Sequence, residues 1–149
     1  MYTVDTSVWV NGSDTLEAGH AISRACLQLL AQQGHPLVLP TLVLAEIAGA
    51  ISRTRSDATL ADTFASQVAA LPNVTLMPLD EALAHQAQAL AAQHRLRGAD
   101  AVYAALALAS YTTLISLDHE HLTRLVGIVP VMTPAQIVAV LTPEPPDPS

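Results

Sequence analysis

The chain has 149 residues, of which 51% are hydrophobic and only 3% aromatic, and its net charge of −7 is set against six Arg and no Lys. That length suits one domain and leaves too little chain for a second core. The acidic balance argues against a surface that coats nucleic acid, while leaving room for a basic protein partner or for RNA held through metal ions.

Cys26 is the only cysteine, so no internal disulfide can form. The most apolar stretch, Ala99 to Ile115, is too short to span a bilayer, contains Asp100 and follows Arg95 and Arg97. The N-terminus shows neither a basic leader nor a signal-type cleavage site. The expectation is a soluble, cytoplasmic protein with no membrane partner.

Residues 2–5 read as a first strand, with the β-branched Val4, Val8 and Val10 nearby. From about Leu16 to Gln33, Ile22, Cys26, Leu29 and Leu30 recur at helical spacing until Gly34. PLVLP is a short buried strand, and Thr41 is then placed to cap a helix running to about Arg53. Asp57 to Leu71 is helical, with Leu60, Phe64 and Val68 four apart, and Pro72-Asn73 stops it. VTLMPL is a strand, and Asp80 caps an Ala-rich helix ending near Gly98. Another helix runs from Ala99 to about Tyr111. TTLISL is a strand, 119–125 a short helix, IVPVM a final strand and TPAQIVAVL a last helix.

Strands alternating with helices specify an α/β fold, a mainly parallel central sheet with helices on both faces. No internal repeat or linker divides it. Residues 1–142 form the domain, and PEPPDPS (143–149) reads as a disordered tail.

Four acids stand in or beside apolar sequence: Asp5, Glu46, Asp100 and Asp118. A carboxylate in such surroundings loses hydration and must be paired or coordinated, and a chain without Lys offers few partners. In open α/β sheets, functional groups gather at the carboxyl ends of strands near a topological switch point. Asp5 and Asp118 end predicted strands, Asp100 lies in a first helical turn where the dipole favours an anion, and Glu46 lies about one turn into the helix after PLVLP. Clustered carboxylates repel unless cations join them. Mg2+ or Mn2+, hard ions that prefer oxygen ligands, relieve that repulsion and support in-line phosphoryl displacement. This pattern points to a metal-dependent phosphodiester enzyme.

Ser7 and Ser116 lie two residues from Asp5 and Asp118 and share their faces if the strands extend that far. Gly49, Ala50 and Arg53 continue the face of Glu46, with Arg53 able to reach phosphate.

VDTSVW, LAEI, GADAVYAALA and ISLDHEHL resemble, in order and spacing, the PIN-domain family. The whole chain apart from its tail is similar to VapC-type toxins of bacterial or archaeal toxin–antitoxin pairs. The resemblance implies a single PIN-like domain acting as a Mg2+- or Mn2+-dependent endoribonuclease. Asp5, Glu46, Asp100 and Asp118 match the family's four acidic positions, which makes them the expected catalytic and metal-binding residues. Ser7 matches its small hydroxyl residue, and Glu120 stands where some members carry another acid. The resemblance further implies an RNA substrate, a homodimer, and an antitoxin whose C-terminal segment covers the acidic site.

Arg53, Arg55, Arg95, Arg97 and Arg124 are candidates for phosphate or base contacts, Arg53 and Arg97 above all, with ordinary surface pairing as the competing reading. Tyr103 reads as core rather than as a base-stacking group. His119 and His121 read as surface or loop groups, and the histidine spacing matches no zinc signature. Trp9 and Cys26 read as core or interface residues.

A P-loop needs GxxxxGK[ST], and the chain has no Lys at all. Haloacid dehalogenase-type phosphoryl transfer and receiver domains fail on the same missing Lys, and no GxSxG appears. The remaining alternatives are a non-enzymatic PIN-like interaction domain and an RNA-maturation nuclease without an antitoxin.

Overall fold

The computed structural model describes residues 1–142. Five strands, β1 (Tyr2–Val4), β2 (Leu37–Pro40), β3 (Val74–Met77), β4 (Thr113–Ile115) and β5 (Val131–Met132), form one sheet in the order β3-β2-β1-β4-β5. Every neighbouring pair is parallel. The connections carry helices α1 (Thr6–Ser13), α2 (His20–Gln32), α3 (Leu42–Arg55), α4 (Ala58–Ala69), α5 (Glu81–His94), α6 (Gly98–Ala109) and α7 (His119–Arg124), and α8 (Pro134–Leu141) follows the last strand.

All four residues of β2 are buried, as are Thr3 and Val4 of β1 and Leu114 and Ile115 of β4. Successive strand residues point to opposite faces, so the three central strands are covered on both sides, as parallel sheets require. Edge strand β3 alternates between half-buried and exposed. Helix α6 packs against β2, β1 and β4, and eight consecutive residues, Asp100 to Ala107, are buried. Its alanines allow that close approach. A larger side chain at Ala104 or Ala105 would overpack the contact at a cost of about 1–3 kcal/mol.

The chain winds outward from β1 through β2 to β3, then returns to place β4 on the other side of β1. The switch point therefore lies between β1 and β4, whose carboxyl ends deliver Asp5 and the segment Ser116–Asp118.

Several boundaries differ from the sequence reading. The first strand stops at Val4, and Val8 and Val10 belong to α1. Asp5 causes the change: its side chain accepts from Ser7 N at 3.1 Å and its carbonyl from Val8 N at 3.1 Å, a helix N-cap that overrides β-branched propensity. The helix expected over Leu16–Gln33 starts only at His20, after a turn through Gly19 at φ +81°. Thr41 precedes α3 without capping it, being helical itself, and its hydroxyl accepts instead from Leu79 N at 3.4 Å. Helix α5 ends at His94 because Arg95 turns left-handed, so Gly98 opens α6 and does not close α5. Strands β4 and β5 are shorter than TTLISL and IVPVM. The expected tail, 143–149, lies outside the described residues.

Candidate metal centre

Asp5 is 6% exposed and Asp100 9% exposed. Asp5 Oδ2 accepts from Ser7 Oγ at 2.5 Å and from Ser116 Oγ at 3.3 Å, besides the Ser7 backbone. Ser7 reaches it from the first turn of α1, not from an extended strand. The two serines also tie down the loop after β4, since Ser7 Oγ accepts from Leu117 N at 3.1 Å and Ser116 Oγ from Asp118 N at 3.0 Å. The network fixes one carboxylate between the ends of β1 and β4.

Asp100 enters from the first turn of α6, and Asp118 caps α7 by accepting from Glu120 N at 2.7 Å. Arg97 joins them. Its Nε donates to Asp100 Oδ2 at 2.8 Å and its Nη2 to Asp118 Oδ2 at 2.5 Å. Glu120 Oε2 lies 3.8 Å from the same Nε, while Arg124 Nη2 is 3.1 Å from Glu120 Oε1. The hydrogen bond to Asp100, then the charges of Asp100 and Asp118, raise the Arg97 pKa above its ordinary value. Partial burial disfavours the Asp118 carboxylate, but the Glu120 backbone N–H, Arg97 and His121 outweigh it and hold its pKa below the usual value.

The structure corrects the reading of His121 as a surface or loop group, because its side chain is fully buried. One ring nitrogen, Nε2, donates to the Asp100 carbonyl at 3.0 Å, and Nδ1 lies 2.9 Å from Ser116 Oγ. The histidine thus braces α6 against the loop after β4. Its signal was the four-residue spacing to Leu125, also fully buried, which marks the inner stripe of α7.

Glu46 is held differently. Its Oε2 accepts from Thr6 Oγ1 at 2.9 Å and from Tyr103 OH at 2.6 Å. Tyr103 is fully buried, in keeping with a core role, yet its hydroxyl serves the site. Sequence reasoning missed Thr6 and this use of Tyr103; the signal was Tyr103 standing one helical turn beyond Asp100. Arg53 is exposed and makes no ion pair among the described residues, and its Nη1 lies over Gly49, 3.1 Å from where a Cβ would sit.

Two sets of ligand atoms converge, each within 4.8 Å: Asp5, Asp100 and His121, and Asp100, Asp118 and Glu120. Asp100 belongs to both, whereas Glu46 belongs to neither. The donor chemistry fits a hard divalent ion. Glu120 Oε2 is a buried oxygen without a hydrogen-bond partner, the kind of group an ion satisfies. His121 fits less well as a ligand, because Nε2 already carries the proton it gives to the Asp100 carbonyl.

A parallel α/β domain with carboxylates gathered at its switch point is the class of protein these features define. The PIN domain model matches residues 2–127, and the chain belongs to the PIN domain family. A search of curated proteins finds no match. Among solved structures, the chain is similar to VapC20 from Mycobacterium tuberculosis, described as a Sarcin-Ricin loop cleaving toxin, at 20% identity and a TM-score of 0.68, covering 80% of this chain and 91% of that one. It is also similar to a chain of VapBC2 from Rickettsia felis bound to a DNA fragment from their promoter, at 14% identity and a TM-score of 0.67, covering 89% and 97%. FitAcB from Neisseria gonorrhoeae aligns at 20% identity and a TM-score of 0.65, covering 90% and 98%.

Proposed function

We propose that this chain is a divalent-metal-dependent endoribonuclease and the toxin of a type II toxin–antitoxin pair. The observation that carries the nuclease reading is the sharing of Asp100 by two converging donor sets at the sheet's switch point. Membership of the PIN family supports it, and the toxin–antitoxin complexes among the similar structures support an antitoxin partner.

Asp5, Asp100 and Asp118 would hold Mg2+ or Mn2+, with Glu120 as a further ligand. When bound, such an ion supplies transition-state charge stabilisation and lowers the pKa of a coordinated water. Ser7 and Ser116 keep Asp5 oriented, and His121 fixes Asp100 through its carbonyl. Glu46, held by Thr6 and Tyr103 outside the two donor sets, orients the water that attacks the phosphodiester. Arg53 is free to meet the RNA backbone.

The protein acts in the cytoplasm as a homodimer, and the antitoxin's C-terminal segment covers the acidic mouth. Among the described residues no helix is long and apolar enough to cross a membrane.

The test is incubation of purified, antitoxin-free protein with total bacterial RNA in Mg2+, Mn2+ or EDTA, beside Asp100→Asn. Discrete products that need metal and vanish in the variant support the reading. Folded protein that yields no products with either metal would favour a non-enzymatic interaction domain.

A further inference from the structure

Arg97 occupies the N-cap position of α6, yet its side chain makes no capping bond to that helix. The guanidinium reaches across to α7 and lies among Asp100, Asp118 and Glu120, the donor set whose ligand atoms fall within 4.8 Å of one another. Three carboxylates so close repel strongly, and Arg97 offsets that repulsion. It does so from an exposed position, since 66% of its side-chain surface remains open to solvent. No packing retains it, so charge and two hydrogen bonds hold it in place.

Arg97 occupies one oxygen of each acid, Asp100 Oδ2 and Asp118 Oδ2, and the other Asp118 oxygen is already taken by the Glu120 backbone N–H, so a cation shared by the two acids competes with the guanidinium. A guanidinium and a divalent ion are both cations seeking the same lone pairs, so they cannot occupy that position together. Arg124 differs because it holds the other oxygen of Glu120, leaving Oε2 without a hydrogen-bond partner.

We infer that Arg97 is an internal counter-cation which a divalent ion must displace, so that ion entry and release of the Arg97 guanidinium are a single event. This rests on the metal centre proposed above. The metal-free protein is kept folded around its own acids by a charge built into the chain, and metal affinity is lowered by the work of removing it. Arg97 is therefore a residue that tunes metal loading, and its effect is present before any RNA arrives.

The experiment is calorimetric titration with Mn2+ alone, paired with thermal melts with and without Mn2+, on the full chain, Arg97→Gln and Arg24→Gln. Arg24 is exposed on α2, outside the acidic site, and controls for the loss of one positive charge. Arg97→Gln is expected to bind Mn2+ roughly fivefold more tightly, as expected from removing an exposed ion pair. It should melt lower without metal and gain more from Mn2+ than the unaltered chain, while Arg24→Gln follows the unaltered chain. Equal or weaker Mn2+ binding by Arg97→Gln, or equal tightening in Arg24→Gln, would overturn the inference and leave the metal centre standing. Absence of Mn2+ binding by all three folded proteins would instead overturn the metal centre itself.

Discussion

Tyr103 donates a 2.6 Å hydrogen bond to Glu46 across 57 residues of chain, bringing the middle of α6 to the second turn of α3. Burial and, after it, the charge of Glu46 raise the phenol's pKa above its ordinary value, so the hydroxyl stays protonated and keeps donating. Thr6 supplies the second donor to the same oxygen. Glu46 is thus positioned by neutral donors, whereas Asp100 and Asp118 are positioned by a cation.

Removing the Tyr103 hydroxyl tests the importance of that orientation. Tyr103→Phe should lower RNA turnover about 10- to 100-fold, as loss of a supporting hydrogen bond does at metal sites. Stability should fall by only about 1 kcal/mol, because the ring still fills the core. Initial cleavage rates and urea unfolding measured on one preparation separate the two effects.

His121→Ala should be costly for the fold. It empties a fully buried position and removes the histidine's hydrogen bonds to the Asp100 carbonyl and the Ser116 hydroxyl. A loss of about 2–4 kcal/mol is expected in urea denaturation without metal. A loss below about 1 kcal/mol would mean that the histidine does not brace the two segments.

Cys26 gives the protein an alkaline limit. The thiol is buried, and burial pushes its pKa up to about 12. The unfolded chain releases this proton near pH 8.5, while the folded chain keeps it until about pH 12. Above pH 8.5 the unfolded state therefore binds fewer protons, and stability falls as pH rises, by at most about 1.4 kcal/mol per pH unit from this group. Cys26→Ala should be less stable at pH 7 but show a shallower decline from pH 9 to 11 in urea unfolding.

Asp118 sets part of the acid limit, with the opposite sign. Its pKa is lowered in the folded state. Its contribution is present above the unfolded carboxylate pKa of about 4 and is lost as pH falls through the lower, folded value. Urea midpoints from pH 6 to pH 2 should therefore drop less steeply in Asp118→Asn than in the unaltered chain.

Much of the architecture was legible because strong local signals agreed with the final fold. Pro36 and Pro40 framed β2, Asp57 and Asp80 capped α4 and α5, and hydrophobic spacing marked the long helices. Helix α1 was hidden because Val8 and Val10 alternate as a strand would, and only the cap at Asp5 turns the chain. The acids' positions in the chain were visible, but the place where they meet depends on β4 returning beside β1, a long-range pairing with no local signal. His121 was hard to read because a six-residue helix marks its inner face by a single spacing, His121 to Leu125. The capture of Arg97 by three acids on two different helices likewise depends on that pairing.

The central claim is that the carboxylates around Asp100 form a metal centre, and anomalous diffraction from crystals soaked in Mn2+ tests it most directly. The account predicts an Mn2+ peak beside Asp100, within bonding distance of Asp5 or Asp118, that disappears in Asp100→Asn. A protein that cleaves RNA with no Mn2+ at these residues, or with its only Mn2+ bound elsewhere, would contradict it.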